Sequence, residues 1–480
     1  MKTKSYLLKY IIILPLLLHV ASCEDVLEEQ IYSQLAPGNF LTTEAGIDAA
    51  LGAVYNEFFD RWHEGYRWLM DVFEAGYGYN EGGSFEARYA EIHEQFLLSS
   101  ISYQPQDSWG DYYTLIRNAN IVLDNLESGD FDESFKTLKK CEALALRGYT
   151  YSRLYNYFGP TPIFVSSQPD EDKIARATEE EMIARIEADL TEAAAGLPVN
   201  QDDWGRITKG GALAMLCKHY LNTKQWDNAS STAQQIMNLG VYELQPTYQD
   251  VFDYGNEKNS ELIVVIPSDA INAGDNAIQG LTIPNDYPMP PGTSTWAARL
   301  YGYDWFVDSF DDNDTRDDDF VLGYVNVTGV TVAGYGVDKT LIMFKYGVDP
   351  NANGVFGGID YPVLRYADIL MSRAEALNEL NGPNQESIDL INMIRNRAGI
   401  DPVELTDFAS KDELRDHIFQ ERLWEFYFEC KSREDMIRQG TFISSAQARG
   451  INAQDYMVLY PIPQTEIESN PNCEQNQGYN

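Results

Sequence analysis

Positive charge is scarce in this chain. It carries 35 lysines and arginines against 74 aspartates and glutamates, a formal net charge of −39 at pH 7. Such a surface repels nucleic acid, anionic lipid and polyanionic glycans, and leaves neutral sugars and peptides as candidate ligands. Cysteine is equally sparse. Cys23, Cys141, Cys217, Cys430 and Cys473 lie far apart with no CxxC pair, which argues against a disulfide framework and against a thiolate metal site. Cys141 and Cys217 sit in helical patterns and read as buried thiols. The histidines, His19, His63, His93, His219 and His417, are dispersed, and no Gly-x-Ser-x-Gly elbow, P-loop or His-Glu-x-x-His occurs. Carboxylate pairs of the glycosidase kind are no guide in a chain so rich in acids. The expectation is therefore a protein without catalytic residues, cofactor or metal. The run from Asp311 to Asp319 has no glycine where a calcium loop needs its sharp turn, so it reads as a solvated turn.

Long apolar runs are missing too, except one. Lys2, Lys4 and Lys9 precede the stretch from Tyr10 to Val20, the charged start and short core of a secretory signal peptide, too short to span a bilayer. It ends in Val20-Ala21-Ser22-Cys23, which resembles a bacterial lipobox and makes Cys23 the expected point of lipid attachment, with residues 1–22 removed. Three acyl chains at about 0.8 kcal/mol per buried CH₂ would anchor the protein permanently. Glu24, Asp25, Glu28 and Glu29 follow at once and resemble the acidic export tag of bacterial surface lipoproteins. The expected location is the outer membrane, facing outward.

What the chain does have is helical periodicity and aromatic side chains. Helices are expected over 43–59, 107–126 and 132–158, the last closed by Gly159-Pro160-Thr161-Pro162 and striped with the small residues Ala145, Gly148 and Ser152. Thr178 with Glu181 forms a capping box that opens the next helix. The pair around Leu213–Tyr220 and Ala229–Ile236, joined by a short turn, resembles a tetratricopeptide hairpin. From 241 to 361 the sequence turns irregular, rich in Gly, Pro, Asn, Asp and Tyr, with one buried strand at 261–266. So long an irregular insert usually carries function. Helices return over 362–381, 385–398 and 411–429.

Those helical blocks resemble a known family. Leu364-Arg365-Tyr366-Ala367-Asp368-Ile369-Leu370, running on through Ala374-Glu375-Ala376-Leu377, is similar to the signature helix of the SusD/RagB nutrient-binding outer-membrane lipoproteins. Asn392–Gly399, Glu421-Arg422 with Glu425 and Glu429, Asp435–Gly440, and the tail from Tyr460-Pro461-Ile462-Pro463 to Gly478-Tyr479 agree with it in order. Cys430 stands where the family usually has glycine. The resemblance implies a mainly α fold: a SusD-like helical scaffold with four tetratricopeptide-like helix pairs, irregular loop-rich segments and short strands. On that reading the chain divides into the signal at 1–22, an N-terminal region at 23–240, the loop-rich insert at 241–361 and C-terminal helices and tail at 362–480. It further implies a non-enzymatic protein that captures an oligosaccharide, or alternatively an oligopeptide, as a lid over a TonB-dependent (SusC-like) transporter. A lid or scaffold without soluble-ligand affinity is the other alternative. Arg365 with Asp368, and Arg422 with Glu425, stand at i, i+3 and can pair on a helix face; they are expected to hold the fold, not a ligand.

Sugar recognition needs exposed aromatic faces beside amide, carboxylate or guanidinium groups. Two irregular segments hold that mixture: one with Tyr77, Tyr79, Asn80 and Arg88, the other with Trp296, Arg299, Tyr301 and Tyr303. These are the ligand-binding candidates, although Tyr and Trp are equally at home in a core. Trp305, Phe306 and Phe310 read as a core-facing stripe.

Overall fold

The computed structural model describes residues 40–59, 67–80, 85–171, 173–269, 276–296, 300–333, 341–352 and 354–479, apart from the side chains at 68 and 85–88. The signal segment and Cys23 lie outside this range. Among the described residues no helix is long and apolar enough to cross a membrane.

The scaffold is an array of helices. In chain order it comprises α1 (Glu44–Phe59), α2 (Arg67–Ala75), α3 (Phe85–Glu94), α4 (Tyr103–Ser128), α5 (Glu133–Phe158), α6 (Glu179–Gly196), α7 (Lys209–Asn222) and α8 (Trp226–Asn238). After the insert come α9 (Tyr366–Asn381), α10 (Gln385–Ala398), α11 (Lys411–Phe426), α12 (Ser432–Gln439) and α13 (Phe442–Ala448). Packing runs from neighbour to neighbour, α1 on α4, then α5, α6, α7, α8, α9 and α10, with α11 also on α9. Capping sets the starts. Asp132 accepts from Ser134 and Phe135 ahead of α5, and Thr178 and Glu181 close both halves of the capping box at α6. The small stripe of α5 lets α6 approach closely: a Cβ on Gly148 would lie 3.0 Å from Asp189 and Leu190 of α6. At that closeness Arg147 reaches both oxygens of Asp189 at 2.7 and 2.8 Å and Asn120 at 2.5 Å, tying α4, α5 and α6 together inside the protein.

The helix expected over 107–126 is longer, running from Tyr103 to Ser128, and two boundaries elsewhere also differ from expectation. The helix expected from Pro362 begins at Tyr366, because Tyr361–Arg365 forms a strand paired antiparallel with Leu262–Ile266. A two-stranded ribbon has only edge strands, so the proline's missing N–H is tolerated there. The helix expected to reach Glu429 ends at Phe426. Phe428 and Cys430 take φ of 63° and 56°, a left-handed conformation that costs a non-glycine residue about 1–2 kcal/mol. The chain thus keeps a glycine-like backbone at Cys430 while carrying a side chain there. The turn delivers Glu429 to Lys345 at 2.5 Å and to Arg365 at 2.7 Å.

The signature-helix charges do hold the fold, but through other partners. Arg365, on the strand, pairs with Glu261, Glu425 and Glu429 rather than with Asp368, and Asp368 pairs with Arg422 at 2.9 Å. The acidic run is only partly solvated. Asp311 and Asp312 are exposed, while Asp314 turns inward and chelates the fully buried Arg316, which also reaches Glu421 at 2.6 Å.

His219 of α7 is buried, and neither ring nitrogen bonds to a described residue. Burial alone pushes its pKa down to about 4. Below its ordinary value near 6.5 the unfolded chain binds a proton that the fold excludes, so stability falls as pH drops from there towards 4. The loss approaches roughly 3 kcal/mol. Replacing His219 by methionine is expected to remove this acid limb, read as a urea midpoint that falls less between pH 7 and pH 4.5 than that of the wild type. Parallel pH profiles for variant and wild type would contradict it.

Candidate functional site

The site grows from a very short ribbon. Gly78–Tyr79 (β1) pairs antiparallel with Tyr301–Gly302, with Gly78 opposite Gly302 and Tyr79 opposite Tyr301. The glycines are a matter of space: a Cβ on Gly78 would sit 2.6 Å from Val72, and one on Gly302 3.0 Å from Leu341 and Met343. The ribbon therefore lies flat on an apolar floor, and its tyrosines stand off it. Tyr79 and Tyr301 form a cross-strand pair with ring centroids 5.9 Å apart. Tyr303, two residues on and so on the same face, brings its ring to 4.7 Å from Tyr79. All three are half-buried, with the Tyr79 ring tilted by 32° to Tyr301 and 38° to Tyr303, a row of rings rather than a core cluster.

The insert extends this surface. Its strands Gly323–Val325 and Thr331–Ala333 form a hairpin. On it Tyr324 lies within electrostatic reach of Tyr301 and packs 5.1 Å from Tyr287. The Tyr324 hydroxyl donates to Asp286 at 2.7 Å, and Asn326 donates to the other oxygen of that carboxylate. Burial and the Asp286 charge hold the Tyr324 phenol well above its usual range. At the other end of the row the Tyr303 hydroxyl donates to Glu94 at 3.2 Å, and burial with that carboxylate pushes its pKa up to about 12. Both phenols are neutral at any working pH. The arrangement offers polarizable ring faces bordered by ionised and neutral hydrogen-bonding groups.

The sequence candidates divide. Tyr79, Tyr301 and Tyr303 come together, with half-buried Asn80 beside them. Tyr77 does not join them and is a correction: it is 0% exposed, its ring lies 4.9 Å from Phe306, and its hydroxyl accepts from the Phe428 amide. Gly76, at φ 79°, turns the chain so that Tyr77 enters the core before the ribbon begins. Trp296 is half-buried, edge-on to Phe356 at 5.7 Å and against Gly280, and among the described residues no ring contact joins it to Tyr79, Tyr301 or Tyr303. Arg299 lies outside the described residues, as does the Arg88 side chain. Trp305 is also corrected: Phe306 and Phe310 are core, at i, i+4, while Trp305 points away and is 48% exposed. Sequence reasoning passed over Tyr287, Tyr324, Asp286 and Glu94. Only the tyrosines gave a signal, as aromatic residues of the irregular insert.

Among the described residues no group of three His, Cys, Asp or Glu side chains could hold a metal ion. A stacked helical array presenting a loop-built surface of tyrosines and carboxylates defines a binding scaffold.

Comparison with known proteins gives that scaffold its family. Residues 321–479 match the SusD family, and residues 61–221 match the family described as "Starch-binding associating with outer membrane". SusD-like protein P25 of Formosa agariphila is 25% identical over 94% of each chain. Starch-binding protein SusD of Bacteroides thetaiotaomicron is 25% identical over 80% of this chain and 81% of its own. A structure titled laminarin-binding SusD-like protein superposes with a TM-score of 0.76 at 23% identity, covering 90% of this chain and 99% of that one. Surface glycan-binding protein A of B. thetaiotaomicron, in complex with laminarihexaose, gives 0.76 at 19% identity over 90% and 98%. The chain belongs to the SusD/SusD-like family of outer-membrane nutrient-binding proteins.

Proposed function

We propose that this protein captures a neutral oligosaccharide at the cell surface and delivers it to a TonB-dependent transporter in the outer membrane, to which it is tethered through lipid on Cys23. The observation that carries this reading is the row of Tyr303, Tyr79 and Tyr301. Three half-exposed rings spaced 4.7 and 5.9 Å apart, with Glu94 at one end and Asp286 near the other, match the alternation of apolar faces and hydroxyl edges along a glycan. The names of relatives that bind starch and laminarin point to the same ligand class. The acidic surface favours uncharged chains of sugar.

Native gel electrophoresis of the soluble protein starting at residue 24 tests this. Its migration is expected to slow in gels containing laminarin, soluble starch or another neutral polysaccharide, relative to a gel without one. Unchanged migration across a broad neutral panel, with saturable calorimetric heat from a mixed peptide pool, would replace the glycan reading with the oligopeptide one.

A further inference from the structure

The Tyr303 end of the row is built more elaborately than stacking alone requires. Glu94 closes α3, and the preceding His93 turns inward to Glu74 of α2 at 2.6 Å, so the last turn of α3 is pinned. Oε1 of Glu94 takes the Tyr303 hydroxyl at 3.2 Å, whereas Oε2 accepts no hydrogen bond from a described residue. Arg449, just beyond α13, stands close to both Glu94 and Tyr303. Its guanidinium is already engaged, donating to the carbonyls of Glu74 and Ala75 and to Ser445 Oγ while packing over Gly76. These bonds fix Arg449 in place, and it supplies positive charge beside the carboxylate. The charged groups facing Glu94 are Arg449 and, on its own helix, Glu91, and the titratable Tyr303 hydroxyl faces it as a neutral donor. Burial raises the Glu94 pKa, and Tyr303 and Arg449 oppose that rise.

We propose that Glu94 is a specificity-determining residue of this site: Oε2 accepts a hydrogen bond from a hydroxyl of the sugar ring stacked on Tyr303, and its charge rejects uronic acids there. The inference rests on the glycan reading above. An ionised carboxylate is an acceptor only, so it takes an O–H, which every neutral sugar offers, through a charge-assisted bond. A uronate in the same place would set two carboxylates together in a half-buried position, a repulsive element that selects by exclusion.

Calorimetric titration of the soluble protein from residue 24 tests this with laminarihexaose or another neutral oligosaccharide that binds it, beside oligogalacturonate of equal length. Glu94→Gln is expected to weaken neutral-glycan binding about tenfold and to shrink the preference over the uronate by at least as much. In the wild type that preference should decline towards acid pH as Glu94 protonates, and in the variant it should be flat, a dependence that a merely structural residue would not give. Coincident melting curves for the two proteins guard against a folding effect. A neutral-to-uronate ratio unchanged within about twofold in Glu94→Gln overturns the inference while leaving the glycan reading standing. Absence of any wild-type glycan binding overturns both.

Discussion

Replacing Arg365 by methionine is expected to destabilise the protein by about 3–5 kcal/mol, seen as a lower urea midpoint and a smaller soluble yield. Its guanidinium is fully buried and meets Glu429 at 2.7 Å through Nε, and Glu261 at 2.7 Å and Glu425 at 2.5 Å through Nη1. Around it the carboxylates of Glu261, Asp314, Glu421, Glu425 and Glu429 are matched by Arg316, Arg365, Arg395, Arg397 and Lys345. Deleting one cation leaves an uncompensated negative charge that water cannot reach, and that penalty, rather than the net worth of one pair, sets the size of the effect. Lys345 cannot take over. Burial lowers its pKa to about 7 despite Glu429 at 2.5 Å, so it holds its own proton with difficulty. Arg415 supplies the contrast: it pairs with Glu379 and Asp412 at 25% side-chain exposure, and its replacement by methionine should cost no more than about 1 kcal/mol. Equal midpoints for the two variants would contradict this account of the fold.

The largest functional effect is expected at Tyr79. It is the middle ring of the row, touching Tyr301 on one side and Tyr303 on the other, so its removal takes away one stacking surface and loosens two more. Tyr79→Ala should weaken glycan binding by more than tenfold, and Tyr79→Ala with Tyr303→Ala should abolish measurable calorimetric heat. Both variants should melt cooperatively, because all three rings are half-exposed and lie outside the main core. Tyr77→Phe should do the opposite. Losing the hydroxyl that receives the Phe428 amide costs about 1 kcal/mol of stability and leaves affinity unchanged. A Tyr79→Ala protein that binds as tightly as wild type would remove the row from the site.

The helices were legible because their signals are local: a capping residue such as Thr178, a stop such as Gly399 at φ 79°, and spacings of three and four between. What escaped was set by partners distant in the chain. Pro362 resembles a helix-opening proline until the strand at Leu262–Ile266 claims the residues around it. The expected i, i+3 pair of Arg365 with Asp368 gave way to Glu261, Glu425 and Glu429, which bring opposite charge to Arg365 from other segments. At the site the residue types were visible and the grouping was not. Tyr79 meets Tyr301 only because two short segments far apart in the chain pair through facing glycines. The left-handed turn at Gly76, invisible in a tyrosine count, decides that Tyr77 goes inward. Glu94 gave no signal at all, since one acid at a helix end is ordinary in so acidic a chain.

The most direct test is diffraction from crystals of the soluble protein grown with a neutral oligosaccharide that retards it in native gels. The account predicts sugar rings stacked on Tyr79 and Tyr303, with a hydroxyl within hydrogen-bond distance of Glu94. Sugar bound elsewhere, for instance against Trp296 and Phe356 with the tyrosine row empty, would contradict it.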